Sequence, residues 1–299
     1  MPKSNQVLSH PVKILAIHDL SGYSQVSLMA IIPIMSAFGI RVGALPTAVL
    51  STNTEFEGFK LVDMSGHLQA HLNHWKQLKL SFTAVYSGFL GTVQAARIVT
   101  DYVRQYAQSG KLVVVDPVMG DDGQLYPCFG KPYVSAIRKL IEYATIITPN
   151  LTEAAFLLRQ PVHDLNLSEL QDWLLHLANL GPRHVIITGI KASPITGHKN
   201  KALTMGLGSH TGEYFAYEYP HYPVNYPGTG DIFTSIVTAY ILRGCSIKAA
   251  VHQALKFLDL ALTITMKNGT PTAEGIALQE CLGYLKVEML NKLIKEIPC

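Results

Sequence analysis

The stretch "NYPGTGDIFTSIVTAYILRG", Asn225–Gly244, sets two glycines and an aspartate directly before an apolar segment. From Ile232 the apolar residues fall at Ile232, Phe233, Ile236, Val237, Tyr240 and Ile241, one continuous face at helical spacing. Gly244, after Arg243, supplies a stop. The pattern predicts a helix that begins near Thr229–Asp231. The first N–H groups of such a helix lack intrahelical partners and carry the positive end of its dipole. Gly228 and Gly230 remove the side chains that would stand between those amides and an oxyanion. Asp231 falls in the first turn, beside the same spot. An anion cradle next to a carboxylate suits phosphoryl transfer to an alcohol: donors stabilise the moving charge and a base takes the hydroxyl proton. A plainer reading also fits, in which the glycines make a turn and Asp231 caps a buried helix.

Upstream, one unit recurs: a short apolar run, a polar or glycine-bearing turn, then a helical pattern. The runs are "KILAI" ending at Ile17, "TAVYSG" at Gly88, "KLVVVD" at Asp116, "ATIIT" at Thr148 and "HVIIT" at Thr188. Each is apolar on both faces, as expected of parallel strands buried on both sides. Helical patterns follow at Thr92–Gln108, with Thr92 as cap, and at Thr152–Arg159. Strands alternating with helices predict a central, mostly parallel sheet with helices on both faces. "RVGALPTAVLS" is strand-like, and "KALTMGLGSHTGEYFAYEYPHY" reads as a hairpin turning near Ser209–Gly212, so part of the sheet is expected to be antiparallel. From Thr229 to about Lys295 the chain reads as helix. No linker or fixed-period repeat divides residues 1–299, so one domain is the simplest reading.

Ligands of such sheets bind beyond the carboxyl ends of the strands. The residues there are Asp19, Gly88, Asp116, Asn150 and Thr188. In "TPNLTEAAFLL", Asn150 and Glu153 stand three apart where a strand turns into a helix. They suit either a Mg²⁺–water cluster on a nucleotide's phosphates or an ordinary capping arrangement. In "VVVDPVMGDDGQLYP", Asp116 ends a strand and a polar loop with Asp121, Asp122 and Gly123 follows. It reads as a solvated connection or as a mobile flap that keeps water from the reaction.

Composition excludes several classes. Hydrophobic residues make up 48% and charged residues 15%, enough apolar material for a large core and against disorder. A net charge of +3, without runs of like charge, does not suit a nucleic-acid or membrane-surface protein. Cys128, Cys245, Cys281 and Cys299 form no C-x-x-C pair and read as reduced thiols. The N-terminus lacks a secretory pattern and no apolar stretch is long enough to span a bilayer, so a cytoplasmic protein is expected.

Three motifs in this order, "DPVMGD" at Asp116–Asp121, "TPNLTE" at Thr148–Glu153 and "PGTGD" at Pro227–Asp231, resemble those of the ribokinase-type kinases, and within them the pyridoxal kinases. The resemblance covers nearly the whole chain. It implies a ribokinase-like three-layer α/β/α fold and ATP-dependent phosphorylation of the 5′-hydroxymethyl group of pyridoxal, pyridoxine or pyridoxamine. By that pattern Asp231 is the base, and the amides around Gly228, Thr229 and Gly230 form the anion hole. Asn150 and Glu153 organise Mg²⁺ and phosphate, Asp116 lies near the metal and phosphates, and Thr148 and Thr188 face the nucleotide. Residues Gly120–Gly130 form the flap, with Tyr126 placed to cover the site. The vitamer pocket draws on Asp19, Thr47 and Phe89; Asp19 replaces a common serine and Phe89 a common tyrosine. Mg²⁺ with ATP is the implied cofactor, a monovalent cation is a further candidate, and a homodimer is the implied assembly.

His67, His71 and His74 share one helical face without an accompanying carboxylate or cysteine, and read as a solvent face rather than a metal site. His18, beside Asp19, suits a catalytic role, but the packed or tautomer-fixed histidine is the preferred reading. The competing functions are a hydroxymethylpyrimidine or hydroxymethylpyrimidine-phosphate kinase, and a non-catalytic vitamer or nucleotide binder of the same fold. "IHDLSGYSQVS" departs from the "GSDxSGGAG"-like segment of the former.

Overall fold

The apolar runs assemble as β1 Lys13–Ser21, β2 Arg41–Leu50, β3 Leu61–Asp63, β4 Ala84–Ser87, β5 Leu112–Val115, the short β6 Gly120–Asp121 and β7 Gln124–Leu125, then β8 Ile146–Ile147, β9 His184–Lys191, β10 Lys201–Gly208 and β11 Glu213–Pro220. Between them run α1 Ser27–Ala37, α2 Ser65–Gln77, α3 Val93–Gln108, α4 Lys131–Ile141, α5 Leu151–Leu158, α6 Leu167–Ala178 and the single turn α7 Ser193–Thr196; α8 Thr229–Leu242, α9 Ile247–Lys267 and α10 Leu278–Lys295 follow. This computed structural model describes residues 12–208 and 210–295. Ser209, the first residue of the expected turn, and Cys299 lie outside them.

Nine strands form one sheet in the order β11-β10-β9-β8-β5-β4-β1-β2-β3. The six from β2 to β9 pair in parallel; β3 at one edge and β10 and β11 at the other are antiparallel. The mixed sheet is thus as expected, with its hairpin between Gly208 and Glu213. Alternate residues of each central strand point to opposite faces. Leu15, Ile17, Val85, Val113 and Val115 pack with the helices α3 to α6 on one side. Ile14, Ala16, Ala84, Tyr86 and Val114 pack with α1, α8, α9 and α10 on the other. Two cores on one sheet make the three-layer α/β/α arrangement.

Local chemistry ends the helices where the sequence places them. Thr92 accepts the Ala95 N–H at the start of α3, and Arg159 closes α5 in the left-handed region. Three points differ from the sequence reading. The first strand does not stop at Ile17 but runs to Ser21, because its extension pairs with the far half of β2. The pairing shifts register between His18 and Leu20, and such an irregularity re-aims side chains. The expected flap contains a hairpin, β6–β7, turned by Asp122 and Gly123, both at positive φ (48° and 79°), as a two-residue turn of this type requires. Finally, over its middle α8 is buried around its whole circumference and not along one face alone: every residue from Ile232 to Tyr240 is buried. It lies between α1 and α9.

Candidate active site

The N-terminus of α8 is open. Gly228 is its cap residue at φ 91°, and no side chain caps the helix. The first ladder bond runs from the Ile232 N–H to the Gly228 carbonyl at 2.9 Å. The amides of Thr229, Gly230 and Asp231 precede it, so they are the helix's orphan donors. Gly230 is exposed and Thr229 half-buried. The two glycines do different work, against the sequence expectation of one shared reason. A Cβ on Gly228 would stand 2.4 Å from the Gln25 carbonyl oxygen, so neighbouring backbone forbids a side chain there. A Cβ on Gly230 would meet only Asp116 Oδ2, at 3.7 Å. Gly230 is therefore the glycine that keeps the cradle clear.

Asp231 does not cap its own helix. Its Oδ2 accepts the N–H of Ser27, the first residue of α1, at 2.7 Å, and its Oδ1 lies 2.9 Å from His18 Nε2. On the other side of the ring, His18 Nδ1 lies 2.8 Å from Asp19 Oδ1, and Asp19 Oδ2 accepts from the Ser21 hydroxyl at 3.0 Å. His18 and Asp19 are buried. Burial by itself lowers the affinity of the His18 ring for its second proton. The Asp231 charge and the hydrogen bonds to Asp19 and Asp231 outweigh it and push the pKa up to about 10. For Asp19, burial raises the pKa, but the hydrogen bond and charge of His18 prevail and hold it below the usual carboxylate range.

This arrangement changes two sequence expectations. Asp19 spends both carboxylate oxygens on His18 and Ser21 instead of facing an open pocket. The hydroxyl of Thr47, also fully buried, donates to the Phe89 carbonyl at 2.8 Å. His18 is packed, as its sequence reading holds, yet it touches the carboxylate at the head of α8, which that reading missed. The available signal was a polar His-Asp pair at the carboxyl end of a strand, the side of the sheet where ligands bind.

Asp116, at the end of β5, joins the group through hydroxyls. Thr234 Oγ1 donates to Asp116 Oδ2 at 3.3 Å and lies 2.9 Å from Thr148 Oγ1. Thr148 is buried, with its hydroxyl turned to Thr234. Burial and the nearby Asp231 charge push the Asp116 pKa up to about 7. Asn150 and Glu153 form a capping box on α5. Glu153 also accepts the Met119 N–H at 3.1 Å, and Asn150 donates to the Gly120 carbonyl at 2.9 Å. The capping reading is realised, and it ties the start of α5 to the flap loop. Burial, then the charge of Asp116, lifts the Glu153 pKa well above the usual range. Thr188 is half-buried and bridges Asn150 in parallel, with its N–H on the Pro149 carbonyl at 3.0 Å.

The flap hairpin rests across these residues. The Gly123 N–H donates to Thr152 Oγ1 at 2.9 Å, and Asn225 Nδ2 reaches Asp121 Oδ2 at 3.1 Å. Beside it, Tyr126, Phe129 and Phe89 make an aromatic wall, with Phe129 stacked on Tyr133 at 3.7 Å. Phe129 was not singled out from sequence, because its partners come from the Phe89 turn and from α4. On α2, His67, His71 and His74 are exposed, as a solvent face requires.

The donor set suits a divalent cation carried by phosphates. Asp116 and Glu153 are buried carboxylates whose pKa values are raised by burial and by a neighbouring carboxylate, Asp231 for Asp116 and Asp116 for Glu153, a repulsion a cation would relieve. Among the described residues, no three His, Cys, Asp or Glu side chains form a metal cage. Mg²⁺ held through waters, one or two carboxylates and substrate phosphates needs none.

A family profile for phosphomethylpyrimidine kinase matches residues 35–274. The chain belongs to the phosphomethylpyrimidine kinase family. Among solved structures of this family's fold, a candidate phosphomethylpyrimidine kinase from Bacteroides thetaiotaomicron, crystallised with pyridoxal, is 38% identical, with a TM-score of 0.88 over 92% of this chain and 96% of that one. The pyridoxal kinase of Lactobacillus plantarum is 30% identical, with a TM-score of 0.83 over 94% and 98%. The pyridoxine/pyridoxal/pyridoxamine kinase of Bordetella avium is 27% identical over 253 residues, 81% of this chain and 82% of its own. These likenesses make the chain a ribokinase-like phosphotransferase. No helix among the described residues is long and apolar enough to cross a membrane.

Proposed function

We propose that the protein phosphorylates the 5′-hydroxymethyl group of pyridoxal, pyridoxine or pyridoxamine with ATP. The observation that carries this reading is the open start of α8: unpaired amides at residues 229–231 beside a carboxylate held in place at both oxygens. In the reaction the Asp231 carboxylate, the catalytic base, takes the acceptor's hydroxyl proton. The acceptor oxygen bonds to the γ-phosphorus, the bond from that phosphorus to the β–γ bridging oxygen breaks, and ADP leaves with the electron pair. The Thr229, Gly230 and Asp231 amides stabilise charge on the transferred group. Mg²⁺, when bound, neutralises phosphate charge; Asp116 and Glu153 are the residues to hold it, through water. Asn150, Thr148 and Thr188 line the nucleotide side, with Thr148 acting through Thr234. Asp19 and Thr47 shape the vitamer side from behind, Phe89 lines it, and the hairpin with Tyr126 excludes water.

A monovalent cation beside the phosphates, a cytoplasmic setting and a homodimer complete the reading. Supporting self-association, edge strand β3 leaves Leu61 and Val62 exposed. A turnover panel tests the function: three B6 vitamers, hydroxymethylpyrimidine and ribose, each with Mg-ATP. The vitamers are expected to lead. Hydroxymethylpyrimidine as the sole acceptor would move the protein to thiamine synthesis, and turnover of none would leave a binder.

A further inference from the structure

Each ring nitrogen of His18 has a carboxylate oxygen and a backbone amide beside it. Nδ1 has Asp19 Oδ1 at 2.8 Å and the Asp19 N–H at 3.0 Å. Nε2 has Asp231 Oδ1 at 2.9 Å and the Phe89 N–H at 3.2 Å. The protonated ring donates to both carboxylates; a neutral ring still finds a donor at its bare nitrogen. The ring lies close against Gly88. A Cβ on Gly88 would stand 2.0 Å from Nε2, so the absence of a side chain at Gly88 forms the wall of the histidine's seat. The second oxygen of Asp231 is held by Ser27, whose φ of 55° a non-glycine residue adopts only where its surroundings demand it. Groups from β1, the β4 turn and α1 thus converge on one carboxylate at the head of α8.

Resting on the reading of Asp231 as the base, we propose that His18 is a positioning residue for phosphoryl transfer, which Asp19 and the bare Gly88 hold in place so that it fixes the Asp231 carboxylate toward the acceptor hydroxyl. An ionised carboxylate offers about four acceptor positions. Two are occupied by His18 and Ser27, so the carboxylate keeps its remaining positions in a fixed direction. Orientation of this kind is worth large factors in rate: a displacement of about 1 Å costs about 100-fold. The charged and titratable groups around the ring are Asp19 on its own strand and Asp231 from α8, with Asp116 from β5 and Tyr86 from β4 beyond.

The test compares wild type with His18→Gln and Asp19→Asn. His18→Gln is expected to lower kcat about 100-fold while KM for ATP moves by no more than about twofold. Asp19→Asn keeps the shape but loosens the ring, and is expected to lower kcat about tenfold. Nitrogen NMR of the free protein gives a readout independent of turnover. In wild type both His18 ring nitrogens stay protonated well above pH 7, with titration near 10, and Asp19→Asn moves that titration down. Near-normal kcat in His18→Gln, a loss confined to KM, or a wild-type ring that titrates at its ordinary value would each overturn the proposal. Should His18→Gln fail to fold by circular dichroism, Asp19→Asn decides by the same two readouts. A wild-type protein that phosphorylates no vitamer would refute the kinase reading alone, since the ring titration still judges the clamp.

Discussion

Replacing Gly88 by Ala places one methyl group against the His18 ring. The new Cβ would lie 2.0 Å from Nε2 and 2.1 Å from Cδ2. Ordinary carbon contacts need about 3.5 Å, so the ring must retreat by about 1.5 Å. That retreat stretches the 2.9 Å contact with Asp231 beyond hydrogen-bonding range. Asp231 then keeps only its Ser27 anchor and rotates about it. Overpacking of this sort costs about 1–3 kcal/mol of stability, which leaves a folded protein measurable by thermal melting. The effect on chemistry is larger: kcat with pyridoxal is expected to fall about 30–100-fold, with ATP affinity by calorimetry unchanged. Gly230→Ala separates the two lesions: its Cβ would make only an ordinary contact with Asp116 but would stand over the helix amides, so kcat is expected to fall while the His18 nitrogen signals stay unshifted. If Gly88→Ala keeps wild-type kcat while its His18 nitrogen signals are unshifted, the seat is not as tight as these distances require, and the reasoning from Gly88 to Asp231 fails.

Asp231→Asn is expected to lower kcat by about 10²–10⁴ with little change in ATP affinity, as for loss of a general base; near-normal single-turnover rates would show that another group takes the proton. The His18 pKa also makes stability depend on pH. A raised value means the folded protein keeps the ring proton where the unfolded chain has lost it, so the stabilisation is complete below about 6.5 and fades as pH climbs through about 10. The difference in Tm between wild type and His18→Gln is therefore expected to shrink between those values, and a difference independent of pH would contradict the assignment.

Much of the architecture could be read before the structure, because it rests on local pattern. Runs such as "KLVVVD" are apolar on both faces, and only a doubly covered strand uses them that way. The capping box at Asn150 and Glu153 is likewise local, with both partners within one helical turn. The contacts that complete the site are not. Ser27 and Asp231 are 204 positions apart, and no spacing rule links them. The role of His18 depends on that same meeting of β1 with α8, and on a register shift that polar residues at the strand end concealed. Thr47 is placed in the vitamer pocket by the family resemblance alone; that its hydroxyl is spent on Phe89 depends on how the β4 turn packs. The β6–β7 hairpin is a different case. Asp122–Gly123 is a favoured pair for a two-residue turn, but the flanking strands are only two residues long and carry no alternation to read.

The helix that presents the phosphate amides is walled in by protein from Ile232 to Tyr240. It has no slack with which to advance on a nucleotide, so it serves as an anvil. On the proposed reading, motion during turnover falls to the small ribbon pinned through Thr152 and Asn225. Changes at those pins would alter how often the site shuts, whereas changes along the anvil would alter what happens once it has.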